Sequence, residues 1–332
     1  MDTNHILQQF LGSLSFLPPI AHANLTLVPV RDGEAPGFPY LVLSEALALG
    51  SFRIGERGGG MVPALMLVNE SDSRVFLMDG EELVGAKQNR ILNTSMLVEA
   101  HSEIMIPVSC VEAHRWSARE PWMHSGGISY PKLRNSKARQ VSENLRAHRE
   151  YVSDQGEVWR SVDAKLCALG VHSETASMDE IYTQRRESLH GYRDSLPCPD
   201  GASGVIAAIH GRVACADLFD SPRTLQSLWP RLVESYSLDA LENTAAAGQG
   251  AGAPDVQSFL QLSEKALIEP FVSPGIGTSL RITAGHRTGC ALVCDDHLVH
   301  LELFGPGAAQ SVRDARLSRP SERRGNRSDI VE

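Results

Sequence analysis

Four consecutive hydrogen-bonding side chains, Lys87, Gln88, Asn89 and Arg90, interrupt an apolar stretch in DGEELVGAKQNRILNTSMLVEAHSEIMIPVSCVEAHRW, residues 79–116. The same stretch carries Glu81, Glu82, Glu112, Arg115 and Cys110. Side chains alternate faces along a strand. Asn93 and Ser95 then share a face with Ile91 and Leu97, and Cys110 and Glu112 share one with Ile104, Ile106 and Val108. If the two faces meet, Asn93, Ser95, Cys110 and Glu112 converge. Such a pocket offers a ligand Lys87, Gln88, Asn89, Arg90, Asn93 and Arg115, and Arg90 or Arg115 can pair bidentately with a phosphate or carboxylate. Glu82 or Glu112, with its pKa raised among apolar strands, suits a general base. Cys110 is a candidate nucleophile if its thiolate is stabilised; His101, His114 and Arg115 would help and Glu112 would oppose. The alternative is a satisfied polar network that sets strand register, with Cys110 as an inert buried thiol.

No metal site and no cofactor follow from spacing. His101, His114 and His124 stand 13 and 10 residues apart, without a chelating pattern on one helix or strand. His297 and His300 fall on opposite faces of a strand. The six cysteines are scattered, and Cys290 and Cys294 lack a second pair to complete a zinc site. GERGGG, residues 55–60, lacks the lysine and hydroxyl of a phosphate-binding loop.

The elements that must position these residues predict an α+β protein with an antiparallel β-rich core, a helical insertion and a C-terminal helix packed on the sheet. NLTLVPV, PALMLVN, SRVFLMD, ELVGA, RILNTSMLV and EIMIPVSCV read as strands between residues 24 and 112, with Asp79-Gly80 as a hairpin turn and Pro29 and Pro107 at edges or bulges. A helical insertion is expected over about 117–196, with a loop around Trp122 to Tyr130. Val158, Val162, Leu166 and Leu169 fall on one face of it. Ser177 and Glu180 fit a capping box ahead of a helix that buries Ile181, Leu189 and Tyr192. Strands return at GVIAAIHGRVACADLF. A helix follows over 222–236, capped by Ser221 with Pro222 in its first turn, and Leu225, Leu228, Trp229, Leu232, Val233 and Tyr236 form its apolar stripe. AAAGQGAGAP reads as a linker, DVQSFLQLSEKAL as a short helix and GCALVCDDHLVHLELF as a last hairpin. VFLMDGEELVGA, VIAAIHGRVACADLF and ALVCDDHLVHLELF share a run–turn–run shape. These segments imply one α+β domain over 1–304 and a disordered Arg- and Ser-rich tail over 305–332.

The chain of 332 residues has a net charge of -9 and a pI near 5.8. That balance argues against a general nucleic-acid or anionic-membrane binder, yet leaves room for a small anion at a local basic site. No apolar run reaches the roughly 20 residues of a membrane span. The N-terminus lacks the basic start of a signal peptide. Scattered thiols fit a cytoplasmic setting.

The stretch DGEELVGAKQNRILNTSMLV…IPVSCVEAHRW resembles the bacterial family of ARG and Rhodanese-Phosphatase-superfamily-associated protein domains. ADLFDSPRTLQSLWPRLVESYSLDAL and HLVHLELF are similar to that family's C-terminal part. The resemblance runs over about residues 20–304. Matching positions are Glu81, Glu82, Gly85, Lys87, Gln88, Asn89, Asn93, Thr94, Pro107, Cys110, Glu112, Arg115 and Trp116, then Asp217, Leu218, Phe219 and Trp229. The family name implies association with ADP-ribosylglycohydrolase and rhodanese-phosphatase genes, and so a setting in ADP-ribose or nucleotide metabolism or conflict systems. It brings a context and no mechanism.

Three functions stay open at this point. The first is a binding module or sensor for a nucleotide-like or ADP-ribose-like anion. The second is a hydrolase of such a substrate with a glutamate base. The third is a protein-interaction scaffold with Trp116 and Trp122 on its contact surface; no protein partner is named by the sequence.

Overall fold

A computed structural model of the chain describes residues 3–32, 38–58, 61–118, 120–242, 255–263 and 265–306. The expected linker and the expected C-terminal tail lie largely outside the described residues.

Among the described residues the largest sheet has nine strands, all antiparallel. Its N-terminal part is β1 (Ser15–Phe16), β2 (Ile20–His22) and β3 (Leu25–Arg31). Then come β13 (Gly204–Ile209) and β14 (Arg212–Phe219), followed by β18 (His297–Phe304), β17 (Arg287–Cys294), β16 (Thr278–Ala284) and β15 (Leu267–Val272). The β15–β16 hairpin is not read from the sequence. Two of the three segments of shared shape are hairpins, β13–β14 and β17–β18, and turn on left-handed His210-Gly211 and Asp295-Asp296. Pro29 faces the gap between β1 and β2, where a ladder donor is not required.

The third such segment is not a hairpin. β7 (Val75–Leu77) pairs with β4 (Leu41–Val42) and β10 (Met96–Val98) in a three-stranded sheet. β8 (Glu81–Gly85) joins a six-stranded sheet in the order β12 (Met123–Ile128), β8, β9 (Arg90–Leu92), β11 (Ser102–Cys110), β6 (Ala64–Asn69), β5 (Phe52–Gly55). Asp79-Gly80 therefore carries the chain from one sheet to another. Gly80 has φ +78, and a Cβ there would meet Ser129 Oγ at 2.6 Å and Arg134 Cγ at 2.9 Å, so both conformation and space demand glycine. Pro107 sits where β11 exchanges its partner β6 for β9.

Helices cover these sheets: α1 (Thr3–Ser13), α2 (Leu43–Ala48), α3 (Pro131–His148), α4 (Gln155–Ala168), α5 (Asp179–Gln184), α6 (Arg186–Ser195), α7 (Pro222–Leu241) and α8 (Val256–Leu260). The helical insertion begins later than expected, because β12 occupies 123–128 and pairs with β8. Its Gly126 and Gly127 hide the strand from a pattern search; a Cβ on Gly127 would lie 2.6 Å from the Tyr182 ring. α7 follows its sequence reading: Ser221 Oγ accepts from Arg223 N–H, and the whole predicted stripe is buried. It packs on one face of the large sheet with Val205, Ala207, Cys215, Phe219 and Val299. The other face, with Val30, Ile206, Leu218, Leu280 and Leu301, is covered by Leu7 and Phe10 of α1 and Phe259 of α8. No helix among the described residues is long and apolar enough to cross a membrane.

Candidate functional site

The two polar strand faces do not meet in one pocket. β9 ends at Leu92 and β10 starts at Met96 in a different sheet, so alternation does not carry through Asn93–Ser95. Asn93 donates to Tyr151 O and accepts from Ser109 Oγ, which also meets Ser153 Oγ. Ser95 Oγ turns the other way, to His300 Nδ1 at 2.8 Å. Cys110 and Glu112 lie in two further surroundings.

Glu112 is the hub of a clasp. Its Oε1 accepts from Arg115 Nε at 2.8 Å and from Thr175 Oγ1 at 2.9 Å, and its Oε2 accepts from Asn89 N–H at 3.0 Å. Arg115 also donates to Ala86 O, Ser117 O, Gly85 O and Asn89 Oδ1. Gln88 Nε2 donates to Glu112 O, and Asn89 Nδ2 donates to Ser177 Oγ. Ser177 thus serves the clasp rather than capping α5, which starts at Asp179 after an uncapped Met178. Burial pushes the Glu112 carboxyl up, but Arg115, the Asn89 N–H and Thr175 together hold it below its ordinary value. A carboxylate so held stays ionised and is a weak proton acceptor. The clasp ties the 85–89 turn to residues 111–117 and to the entry of α5.

Glu82 and Cys110 are shifted the opposite way. Glu82 is fully buried; burial, then the charges of Asp179 and Glu112, push it well above the ordinary carboxylate range. Cys110 is buried and its thiol is pushed up to about 11, with Arg90 lowering and Glu56 raising it to lesser degrees. A thiol in that range carries little thiolate at neutral pH.

Arg90 differs from Arg115. Its side chain is 0% exposed, and one nitrogen, Nη1, donates to Gln88 Oε1 at 2.8 Å. Among the described residues Nε and Nη2 have no hydrogen-bond partner, and neither carboxylate oxygen of Glu56 has one. Arg90 Nη2 and Glu56 Oε1 stand 3.5 Å apart, an ion pair without a hydrogen bond. The Trp116 ring lies against two cations: the Arg90 guanidinium is 5.6 Å and Lys87 Nζ 5.2 Å from its centroid. Trp116 itself is 48% exposed, and Met61, Val62 and Trp122 are also exposed. Val62 O lies 4.0 Å from the Sγ of Cys110, which pairs with Arg90 across β9 and β11, and Trp122 bridges to Gly55, beside Glu56.

A second polar centre is absent from the sequence reading. Arg134, on the first turns of α3, donates to both Asp217 oxygens and to Glu302 Oε2, all three residues fully buried. Lys137, one turn on, binds Asp79 and Leu92 O. Tyr236 Oη donates to Asp217 Oδ2, and Cys290 Sγ donates to Glu302 Oε1. Asp217, His300 and Glu302 reach α3 because period two puts them on the face of β14 and β18 that also bears Phe219 and Phe304. Ser95 Oγ accepts from Asp79 N–H and lies 2.8 Å from His300 Nδ1, while His300 Nε2 stands 3.7 Å from Asp217 Oδ1. Asp217 is held well below the carboxylate range: Arg134 and His300 overcome the effect of burial.

Asp217, His300 and Glu302 each bring one possible metal-ligand atom within 4.8 Å of the others. Arg134 Nη2 already lies 2.5 Å from both Asp217 Oδ1 and Glu302 Oε2, so the guanidinium supplies the positive charge there. The centre joins the 79–95 segment to 217 and 302, but in the interior rather than in a cleft. Arg134 and Lys137 escape sequence reading because PKLRNSKARQ looks like a solvated helix; the signal available was that both share a face with Leu133 and Val141.

No curated protein and no solved structure matches the chain significantly. A family model matches residues 13–304, which contain the clasp, the Trp116 contacts and the buried ion network. The chain therefore belongs to the family of ARG and Rhodanese-Phosphatase-superfamily-associated Protein domains.

Proposed function

We propose that this protein is a small-molecule binding module or sensor whose ligand is a nucleotide-like anion, the class that includes ADP-ribose, taken up beside Trp116. One observation carries the reading: a buried guanidinium, Arg90, keeps two nitrogens without hydrogen-bond partners among the described residues, beneath a half-exposed tryptophan that also holds Lys87. Buried donors are normally paired, so a site that leaves them open is prepared for an acceptor from elsewhere. An aromatic face beside two cations suits a planar group joined to a phosphate or carboxylate. The hydrolase reading has less support, because Glu112 is bound by Arg115, and Glu82 and Cys110 favour their neutral forms in the interior. The genomic setting implied by the family name accords with a nucleotide-like ligand, and six free cysteines accord with a cytoplasmic one.

Thermal shift against ADP-ribose, NAD, nucleotides and sugar phosphates tests the proposal. A ligand that raises the midpoint of the parent protein, and raises that of Lys87→Ala or Trp116→Ala much less, is the expected outcome. Equal shifts in parent and variants would place the ligand elsewhere. No shift with any compound would favour the scaffold reading, for which the exposed Trp116 and Trp122 are the surface to test.

A further inference from the structure

The open polar atoms around Arg90 have an order as well as a number. Glu56 presents two carboxylate oxygens and Arg90 two nitrogens, Nε and Nη2, all four buried and without a hydrogen-bond partner among the described residues. The two groups face each other at 3.5 Å, with 11% of the Glu56 side chain and none of Arg90 exposed. Around this edge the protein therefore offers two acceptors followed by two donors. A phosphate alone matches half of it: Arg90 would be satisfied, while Glu56 would repel the anion and stay unpaired. A plain carboxylate has the same defect.

A planar heterocycle with two adjacent donors followed by two adjacent acceptors matches the whole edge. Guanine has that perimeter, with N2–H and N1–H as donors, then O6 and N7 as acceptors; a carboxylate accepts the first pair and an arginine donates to the second. Adenine presents one exocyclic donor between ring acceptors and leaves one carboxylate oxygen unmet. We infer, on the basis of the binding function proposed above, that the Glu56–Arg90 pair reads a guanine-type base edge-on, with Trp116 stacking on its face. The half-exposed Trp116 ring already lies 5.6 Å from the Arg90 guanidinium, so an aromatic face is at hand beside the pair. Lys87, beside Trp116, would meet the phosphate of a guanine nucleotide. Both readers are held from behind: Arg90 by Gln88 Oε1, and Gln88 in turn by Glu112 O. The Glu112 clasp is then the support of the site.

The test uses the full chain and uncharged nucleosides, so that phosphate affinity cannot mimic base recognition. Guanosine, inosine and adenosine are titrated against tryptophan fluorescence and by calorimetry, with ribose 5-phosphate and inorganic pyrophosphate in parallel. Guanosine is expected to bind about tenfold or more tightly than adenosine, with inosine between them because it lacks N2–H, each lost charge-assisted hydrogen bond being worth about that factor. Glu56→Gln should weaken guanosine by about tenfold while its circular dichroism and melting match the parent, and Trp116→Leu should remove the fluorescence response. Equal binding of adenosine and guanosine, or no effect of Glu56→Gln, overturns the inference. Binding of the phosphates without the nucleosides overturns it and leaves the proposed function standing. No binding of any of these compounds overturns both.

Discussion

Arg115 and Arg90 show how differently two arginines of one motif can be used. Every nitrogen of Arg115 is engaged, and its removal would leave the buried Glu112 carboxylate without its counter-ion. Arg115→Met is expected to lower stability by about 3–5 kcal/mol, the usual cost of stranding one member of a buried pair. Urea unfolding monitored by circular dichroism would measure it; a loss below about 1 kcal/mol would mean the clasp is not structural. Asp220 makes a pH prediction at the same scale. It is pushed up to about 7, first by burial, and Tyr40 Oη donates to it at 2.5 Å. A carboxyl raised above its unfolded value of 3.8 binds more protons folded than unfolded between pH 4 and 7. Its contribution is therefore complete below about pH 4 and lost as pH rises through about 7, each tenfold difference in proton affinity being worth about 1.4 kcal/mol. Asp220→Asn keeps the acceptor for Tyr40 and should melt higher than the parent at pH 8 but not at pH 5. Parallel melting curves for the two proteins across that range would refute the assignment.

Among the elements, α3 has the most consequential placement. Its first turns thrust Arg134 and Lys137 into the space between β14, β18 and the 79–95 segment, where three carboxylates need cations. Arg134→Leu should cost about 3–5 kcal/mol, because Asp217 and Glu302 would remain buried and unpaired. Adding Asp217→Asn and Glu302→Gln should recover part of that loss, since the penalty belongs to the stranded charges rather than to the missing guanidinium. A triple variant less stable than the single one would show that the network contributes more than charge balance. The same placement explains why the Asp217–His300–Glu302 trio is a poor vacant metal site: its cation is built in.

For the whole molecule, the informative boundary is at the N-terminus. The family match begins at residue 13, while α1 ends at Ser13, so nearly all of α1 precedes it. Even so, Leu7 is completely buried and Phe10 nearly so, against Leu280, Leu301 and Leu303 of the large sheet. Fully burying each such side chain stabilises by about 1.5–3 kcal/mol. Deleting residues 1–12 is therefore expected to lower the melting temperature by several degrees and to increase binding of a hydrophobic dye. An unchanged melting temperature would mean that this end packs differently in solution.

How far the sequence reaches can be judged element by element. The α7 stripe, the α4 face of Val158, Val162 and Leu166, the β13–β14 and β17–β18 hairpins and the α+β class are all legible, because each depends on local periodicity or on a cap and turn only a few residues long. The richness of residues 79–116 in polar groups is legible too, and every one of Gln88, Asn89, Arg90, Asn93, Glu112 and Arg115 is buried and hydrogen-bonded there. What periodicity could not decide is which polar groups meet. The chain changes sheets at Asp79-Gly80 and again between Leu92 and Met96, and each change resets the faces on which later side chains fall. Ser95 is thereby sent to His300, 205 residues away, and Arg134 to Glu302, 168 residues away. Sequence alone determined the elements and the supply of polar residues; tertiary pairing alone decided that Arg115 is fully engaged while Arg90 keeps open nitrogens, because hydrogen-bond satisfaction is a property of neighbours in space.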